Sequence, residues 1–184
     1  MTTRAVVLPA RRHAPRHPAL QWAQSAQSAL FRIPEDLIAL LGRFSIAAIY
    51  WQSGQTKIEG FAVDLVDRSF ELGWPHLSES ALYLFRDEYR LPLVQPEVAA
   101  ALAAVGEHVL PVLVLLGLGT RFAALGLLVM TAVIQFLVYP GAYPTHGVWA
   151  AVLLWLMARG PGRFSLDHLI RRRAPIGAAL SDDA

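Results

Sequence analysis

The sequence predicts an all-α integral membrane protein, a four-helix bundle with an amphipathic extramembrane loop. Composition is the first observation behind this. Hydrophobic residues fill 55% of the 184 positions and charged residues only 16%, against about 25% charged residues in an ordinary soluble domain. The second is charge placement. Charges concentrate in the first 36 residues, in 57–97 and after Ala158. The third is the apolar runs between them, close to the ~20 residues needed to span hydrocarbon. Cysteine is absent, which excludes disulfides, thiolate metal sites and iron–sulfur clusters within the chain. No Walker, Rossmann, Ser-His-Asp or zinc-protease spacing is present, and no metal site is assigned. The basic residues flank apolar spans, so topology and anionic lipid account for them and nucleic acid is not an expected partner.

The N-terminal stretch MTTRAVVLPARRHAPRHPAL is rich in Arg, Pro and His. It lacks the apolar core of a secretory signal, so it is expected to be retained. Trp22, Ala26, Ala29 and Ile33 then share a helical face. Span one is expected over 36–57, with Pro34, Glu35 and Asp36 marking its start. In the loop that follows, Ser78 is an expected cap for a short helix with Leu82, Phe85 and Tyr89 on one side. This helix is read as interfacial at the bundle mouth, with a lid or docking surface as the alternative. Span two is expected over 97–118 and span three over 121–139. The turn Gly117–Thr120 makes these two antiparallel neighbours, with Thr120 as the N-cap. Tyr139, Pro140, Tyr143 and Pro144 form the next turn. Span four, 145–159, is short and ends at Gly160, Pro161 and Gly162. FSLDHLIRRR is a further candidate interfacial helix, with Ser165 as cap and Arg171–Arg173 near anionic lipid.

The distribution of Arg and Lys sets the orientation. Arg4, Arg11, Arg12, Arg16 and Arg32 precede span one; Arg121 lies in the second turn; Arg159, Arg163 and Arg171–Arg173 follow span four. The first loop balances Arg68, Arg86 and Arg90 against eight acidic residues from Glu59 to Glu97. Both termini are therefore expected on the cytoplasmic side. The division is a basic cytoplasmic extension (1–35), a four-span membrane domain (36–160) and a basic cytoplasmic tail (161–184).

The stretch from Leu84 to Tyr139, LFRDEYRLPLVQPEVAAALAAVGEHVLPVLVLLGLGTRFAALGLLVMTAVIQFLVY, resembles the DoxX family of small bacterial membrane proteins. Arg43, the SGQTK end of span one, the E-x-x-L-P of Glu107–Pro111, the GLGTR turn and the H-x-x-W of His146–Trp149 support the resemblance, which covers about 37–170. It implies a four-helix bundle in the bacterial cytoplasmic membrane. Some relatives are small subunits linked to thiosulfate:quinone oxidoreduction; others are associated with redox-stress complexes. It thus implies a membrane subunit or accessory component of quinone-linked redox chemistry. Quinone is the candidate cofactor, and a soluble redox enzyme or a second membrane subunit the candidate partner. A non-enzymatic scaffold, a small-solute or proton carrier, and homo-oligomerisation stay open. Fold likeness alone does not assign an enzyme activity.

The candidate intramembrane polar site comprises Arg43, Tyr50, Lys57, Glu107, His108, Gln135 and His146. Arg43, Ala47, Tyr50, Gly54 and Lys57 fall on one stripe of span one. Ala100, Ala103, Glu107, Pro111 and Val114 fall on one stripe of span two. Charges at such depth face the bundle interior and seek partners. With the cytoplasmic ends of the two spans level (the start of span one and the end of span two) and a rise of ~1.5 Å per residue, Arg43 lies about 7 Å from the level of Glu107, and Lys57 about twice that. Arg43 is therefore the expected partner of Glu107, either fixing helix register or lining a proton or quinone headgroup site. A proton-sharing Glu107 with its pKa raised by burial is the alternative. His108 points away from Glu107 and is expected to hydrogen-bond another helix; bis-His haem is disfavoured because His146 lies near the outer end. His146 is read as capping or interfacial, or as a proton-linked group. Thr131, Gln135 and Tyr139 share a stripe suited to interhelical hydrogen bonds.

Overall fold

A computed structural model describes residues 32–64 and 68–173, together with Trp22 and Gln27. Most of the Trp22–Ile33 stretch, the arginine-rich start and the end of the tail lie outside these residues. From Glu35 onward the described chain is mostly helical. The elements are α1 (Glu35–Gln55), β1 (Ile58–Asp64), β2 (Ser69–Leu77), α2 (Glu79–Tyr83), α3 (Pro96–Leu116), α4 (Thr120–Val133), α5 (Tyr143–Arg159) and α6 (Leu166–Arg173). Two π-helical segments extend them: Leu84–Tyr89 follows α2 and Ile134–Val138 follows α4.

The helix ends follow local chemistry. α1 opens with Glu35 and Asp36 in its first turn, where acids meet the positive end of the dipole. Pro96 starts α3, and Gly117 ends it at φ 71°. The Ser78 hydroxyl accepts the Ala81 amide at 3.1 Å and so caps α2; Ser165 does the same for His168 at 3.2 Å. Thr120 is not the α4 cap. Gly119 holds that position, and the acceptor arrives from α6: Asp167 takes the Gly119 and Thr120 amides at 2.8 and 3.1 Å, and the Thr120 hydroxyl at 3.2 Å. Thr120 is already the first helical residue, one place past the cap, and its hydroxyl donates to Asp167.

A β-hairpin stands where only loop and a short helix were expected. β1 and β2 pair antiparallel, with Phe61 opposite Leu72 and Val63 opposite Phe70. The alternation Phe70-Glu71-Leu72-Gly73-Trp74 is the strand period that announces it. A bulge after Glu59 is accommodated by Gly60 at φ 82°, where a Cβ would lie 2.5 Å from the Trp74 carbonyl.

α1, α3, α4 and α5 pack side by side, α1 on α3, α3 on α4, α4 on α5, with α5 returning to α1. Ile46, Tyr50, Val114, Leu127, Leu153 and Leu156 form the core. Phe85 packs on Ala99 and Ala100 and seats the α2 region on the first turns of α3. The polarity is inverted relative to a soluble bundle. Arg43, Glu107, Thr120, Thr131 and His146 are buried, whereas Leu41, Phe44, Leu102, Val105, Phe122, Val129, Phe136, Val148 and Leu154 are exposed. Such a surface suits lipid, where apolar side chains outside carry no hydration cost and polar ones find partners inside.

Two helices are long and apolar enough to cross a membrane, Pro96–Leu116 and Thr120–Val138. α1 equals the first in length at 21 residues but ends in the polar run Gln52-Ser53-Gly54-Gln55, and α5 has 17 residues. Four equivalent spans are therefore not evident from length and hydropathy alone.

Candidate functional site

The interface between α1 and α3 carries the two deepest charges, and its register decides what they meet. Gly54 of α1 sits against α3. A Cβ there would lie 2.9 Å from the His108 ring and 3.1 Å from the Glu107 Cβ. At the other end, a Cβ on Gly117 would lie 3.1 Å from Cζ of Arg43. Gly54 thus marks the level of Glu107, and Arg43 that of the α3 C-terminus. The two helices are staggered, not flush. Ten residues of α3 separate Glu107 from Gly117, about 15 Å along the axis at ~1.5 Å each.

The expected Arg43–Glu107 pair is consequently not formed. Arg43, 2% exposed, donates to four main-chain carbonyls. Nε reaches Val114 at 2.9 Å, Nη1 reaches Pro161 at 2.9 Å and Phe164 at 2.6 Å, and Nη2 donates to Leu115. Leu115 is among the last carbonyls of α3, which the helix itself leaves short of donors, and Val114 accepts the Gly117 amide at 3.1 Å as well. The planar guanidinium carries five N–H donors in a fixed fork and serves all four at once, one more than the three donors of an ammonium could.

Glu107 pairs instead with Lys57. The Nζ–Oε2 distance is 2.7 Å, with both side chains almost wholly buried. Lys57 lies just beyond α1, where its amide closes a turn onto Gly54. Its side chain folds back, and Nζ donates to the Ser53 carbonyl and hydroxyl oxygens, each at 3.1 Å. Ser53 Oγ donates weakly to Glu107 Oε1 at 3.3 Å. Oε2 is thus close to the ammonium but off the line of a good hydrogen bond. Pro111 supplies no amide to the Glu107 carbonyl one turn earlier, because proline has no N–H.

These three groups form the polar end of a cavity of about 280 Å³. Its other walls are apolar: Leu102 and Ala103 from α3, Val129 and Met130 from α4, and residues of both π-helical segments, including Phe85, Tyr89, Ile134 and Val138. π segments are uncommon and concentrate at functional sites. At the rim the Tyr139 hydroxyl donates to Glu88, and the Tyr89 and Tyr139 rings meet edge to face at 5.7 Å. The bond to Glu88, above all, pushes the Tyr139 phenol well above its usual range. Burial pushes Tyr89 up as well.

His108 belongs to a neighbouring relay. The Val63 amide donates to Gln55 Oε1 at 2.7 Å, which turns the Gln55 NH₂ towards His108 Nε2 at 2.8 Å. Nε2 therefore accepts, and Nδ1–H donates to the Ala104 carbonyl at 2.7 Å. The Trp51 indole donates to the Val63 carbonyl at 3.1 Å. The hairpin is thereby fastened to the last turn of α1.

Tyr50, Gln135 and His146 form a second polar group where α1 meets α4 and α5. The Tyr50 hydroxyl bonds Thr131 on α4. His146 Nδ1 meets Gln135 Oε1 at 2.8 Å, while the Gln135 amide donates to the Pro140 carbonyl at 2.7 Å. Trp149 lies between them, 5.7 Å from Tyr50 and 5.1 Å from His146 by ring centroids. The seven candidates thus divide into four settings: Lys57 with Glu107, His108 with Gln55, Tyr50 with Gln135 and His146, and Arg43 alone among carbonyls. Ser53, Gln55 and Tyr89 were not legible as site residues. The SGQTK run placed polar groups beside Lys57, and it was the one signal for the first two.

A family model described as DoxX matches residues 38–140, and the chain belongs to the DoxX family. No curated protein and no solved structure matches it. The match includes Arg43, Lys57 and Glu107 and stops before the His146–Trp149 motif. The chain is accordingly a membrane protein of the DoxX type.

Proposed function

With DoxX membership as the premise, we propose that the chain is a membrane subunit or accessory component of quinone-linked redox chemistry, and that the Ser53–Lys57–Glu107 cavity receives the quinone headgroup. The observation that carries this reading is the cavity's polarity: a buried ammonium–carboxylate pair at one end and apolar walls elsewhere. Small-molecule sites have this composition, with a few placed polar groups and mostly apolar lining. Lys57 Nζ and Ser53 Oγ serve a quinone carbonyl as donors by exchanging a present partner, Ser53 its 3.3 Å bond to Glu107 first. Glu107 is a group that can hand over or take up a proton as the ring is reduced or oxidised. An isoprenoid tail would leave along Leu102, Val129 and Ile134. Electron carriers belong to partner proteins in this reading.

The proposal includes four membrane-spanning helices, α1, α3, α4 with its π extension, and α5, in the bacterial inner membrane with both termini cytoplasmic. Residues 1–35 and 161–184 flank the membrane domain as basic segments. The apolar outer faces of all four helices support this. A scaffold role is the second reading. It is favoured by the exposed stripe Phe70, Leu72 and Trp74 on β2, a candidate surface for a soluble or membrane partner.

A photoreactive quinone tests the first reading on gently purified full-length protein. Labelling is expected on peptides from 53–57, 99–107 and 129–138, competed by excess quinone and reduced in Glu107→Gln and Lys57→Met. Labelling confined to the outer face of α5, around Val148 and Leu154, would remove the quinone site. Co-purification of stable partners without bound quinone would then favour the scaffold.

A further inference from the structure

A second cavity, of about 490 Å³, lies at the opposite end of α1 from the hairpin. Arg121, Arg159, Arg163 and Arg171 line it, against two carboxylates, Asp36 and Asp167. Both carboxylates are already engaged. Asp36 Oδ1 accepts the Arg163 amide at 2.7 Å, and Asp167 caps α4 through the Gly119 and Thr120 amides. Of the four arginines, Arg159 has a carboxylate partner, Glu35 at 3.4 Å. Among the described residues, none lies within ion-pair distance of Arg121, Arg163 or Arg171. Arg121 and Arg171 each make one exposed contact, to the Ala158 carbonyl at 3.5 Å and the Asp167 carbonyl at 3.2 Å. Other guanidinium N–H groups remain available.

The cations have an apolar border. Phe122 and Ile170 also line the cavity, and both are exposed. On α6, Leu166, Leu169 and Ile170 share one face and are followed by Arg171–Arg173. That pattern belongs to a helix lying in a membrane interface. Guanidinium groups present paired donors that match phosphate oxygens. A ligand that uses both surfaces must join an anionic phosphate to an aliphatic body.

We propose that this cavity binds the phosphate of an anionic phospholipid headgroup, with its acyl chains along Phe122 and Ile170. The proposal rests on the membrane location of the family and not on the quinone reading. Inorganic phosphate shares the charge but has nothing to place against the apolar border.

The test is lipid titration of delipidated full-length protein in neutral detergent, followed by native mass spectrometry and thermal unfolding. Phosphatidylglycerol is expected to bind and raise the unfolding temperature, whereas phosphatidylcholine does neither. The double variant Arg121→Gln/Arg171→Gln should weaken phosphatidylglycerol binding by about tenfold or more, given the usual contribution of each arginine at an anionic surface. The charge-matched double variant Arg172→Gln/Arg173→Gln, on the same helix but outside the cavity lining, should leave it near the wild-type value. Equal losses in the two double variants would mean diffuse attraction to a basic helix and overturn the site. Displacement by millimolar inorganic phosphate would assign the cavity to a free anion and overturn the lipid. Should the double variant not fold, the two lipids are compared on wild type alone: equal stabilisation by both rejects the proposal. None of these outcomes depends on whether quinone labels the other cavity.

Discussion

The two ends of the α1–α3 interface bury charge in different ways. At one end Arg43 is enclosed by carbonyls of Val114, Leu115, Pro161 and Phe164. Every partner is main chain, and the bonds join α1, the end of α3 and the segment after α5. At the other end Glu107 meets a side-chain ammonium and a hydroxyl, and one of its oxygens has no aligned donor. That end also borders a cavity. A charge satisfied by backbone from several segments acts as a clamp, because any movement breaks several bonds together. A charge held by one flexible side chain beside open volume can exchange partners. Burial alone does not separate these roles; the partners do.

The largest effect is expected at the clamp. Arg43→Met takes the side-chain donor from the Leu115, Pro161 and Phe164 carbonyls, and a carbonyl left buried and unsatisfied costs about 1–3 kcal/mol. The variant should lose most of its folded population in mild detergent, measured by thermal unfolding or size-exclusion recovery. Arg43→Lys should recover part of the loss, since one ammonium reaches fewer of the carbonyls. Wild-type stability in Arg43→Met would show that the clamp carries no weight and would erase the contrast.

At the other end a double-mutant cycle sharpens the comparison. Glu107→Gln and Lys57→Met each strand one member of a buried pair. Their combination should be less damaging than the sum, with a coupling of about 1–3 kcal/mol. Arg43→Gln combined with Glu107→Gln should be additive within about 0.5 kcal/mol, because roughly 15 Å of helix separates their levels. Coupling of Glu107 to Arg43 and not to Lys57 would reverse the register assigned to α1. If stability recovers in the Lys57/Glu107 double variant while quinone labelling does not, the pair does more than hold the fold.

The smallest effect concerns the cavity rim. Tyr139 is held protonated by Glu88, so its folded pKa lies above the unfolded one. A raised pKa gives stability that is fully present below the ordinary tyrosine range near pH 10 and lost as pH rises through the higher folded value. Wild type should therefore be slightly more stable than Tyr139→Phe at neutral pH, by about 1 kcal/mol or less. The difference should vanish only in strong base. Ultraviolet titration of tyrosinate should show one fewer late-ionising group in the variant than in wild type. A normal titration for Tyr139 would mean that the rim contact does not form in solution.

Sequence alone determined what local chemistry controls. Composition selected the membrane class, the apolar period located the long helices, and Pro34, Ser78, Gly117, Gly160 and Ser165 marked their ends to within a few residues. The stripes on α1 and α3 were legible because a 3.6-residue period fixes which side chains share a face. The hairpin was present as alternation in 70–74 but was obscured by the surrounding polar loop. Only the tertiary structure decided the height of α1 against α3. Caps locate a helix in the chain, not beside its neighbour, and the flush alignment misplaced Arg43 by about 8 Å. Close packing of Gly54 on Glu107 and His108 set the stagger. That stagger gave Glu107 to Lys57 and Arg43 to the carbonyls. Asp167 as the cap of α4 was likewise a tertiary decision: it lies 47 residues from Thr120, and no local pattern relates positions so far apart.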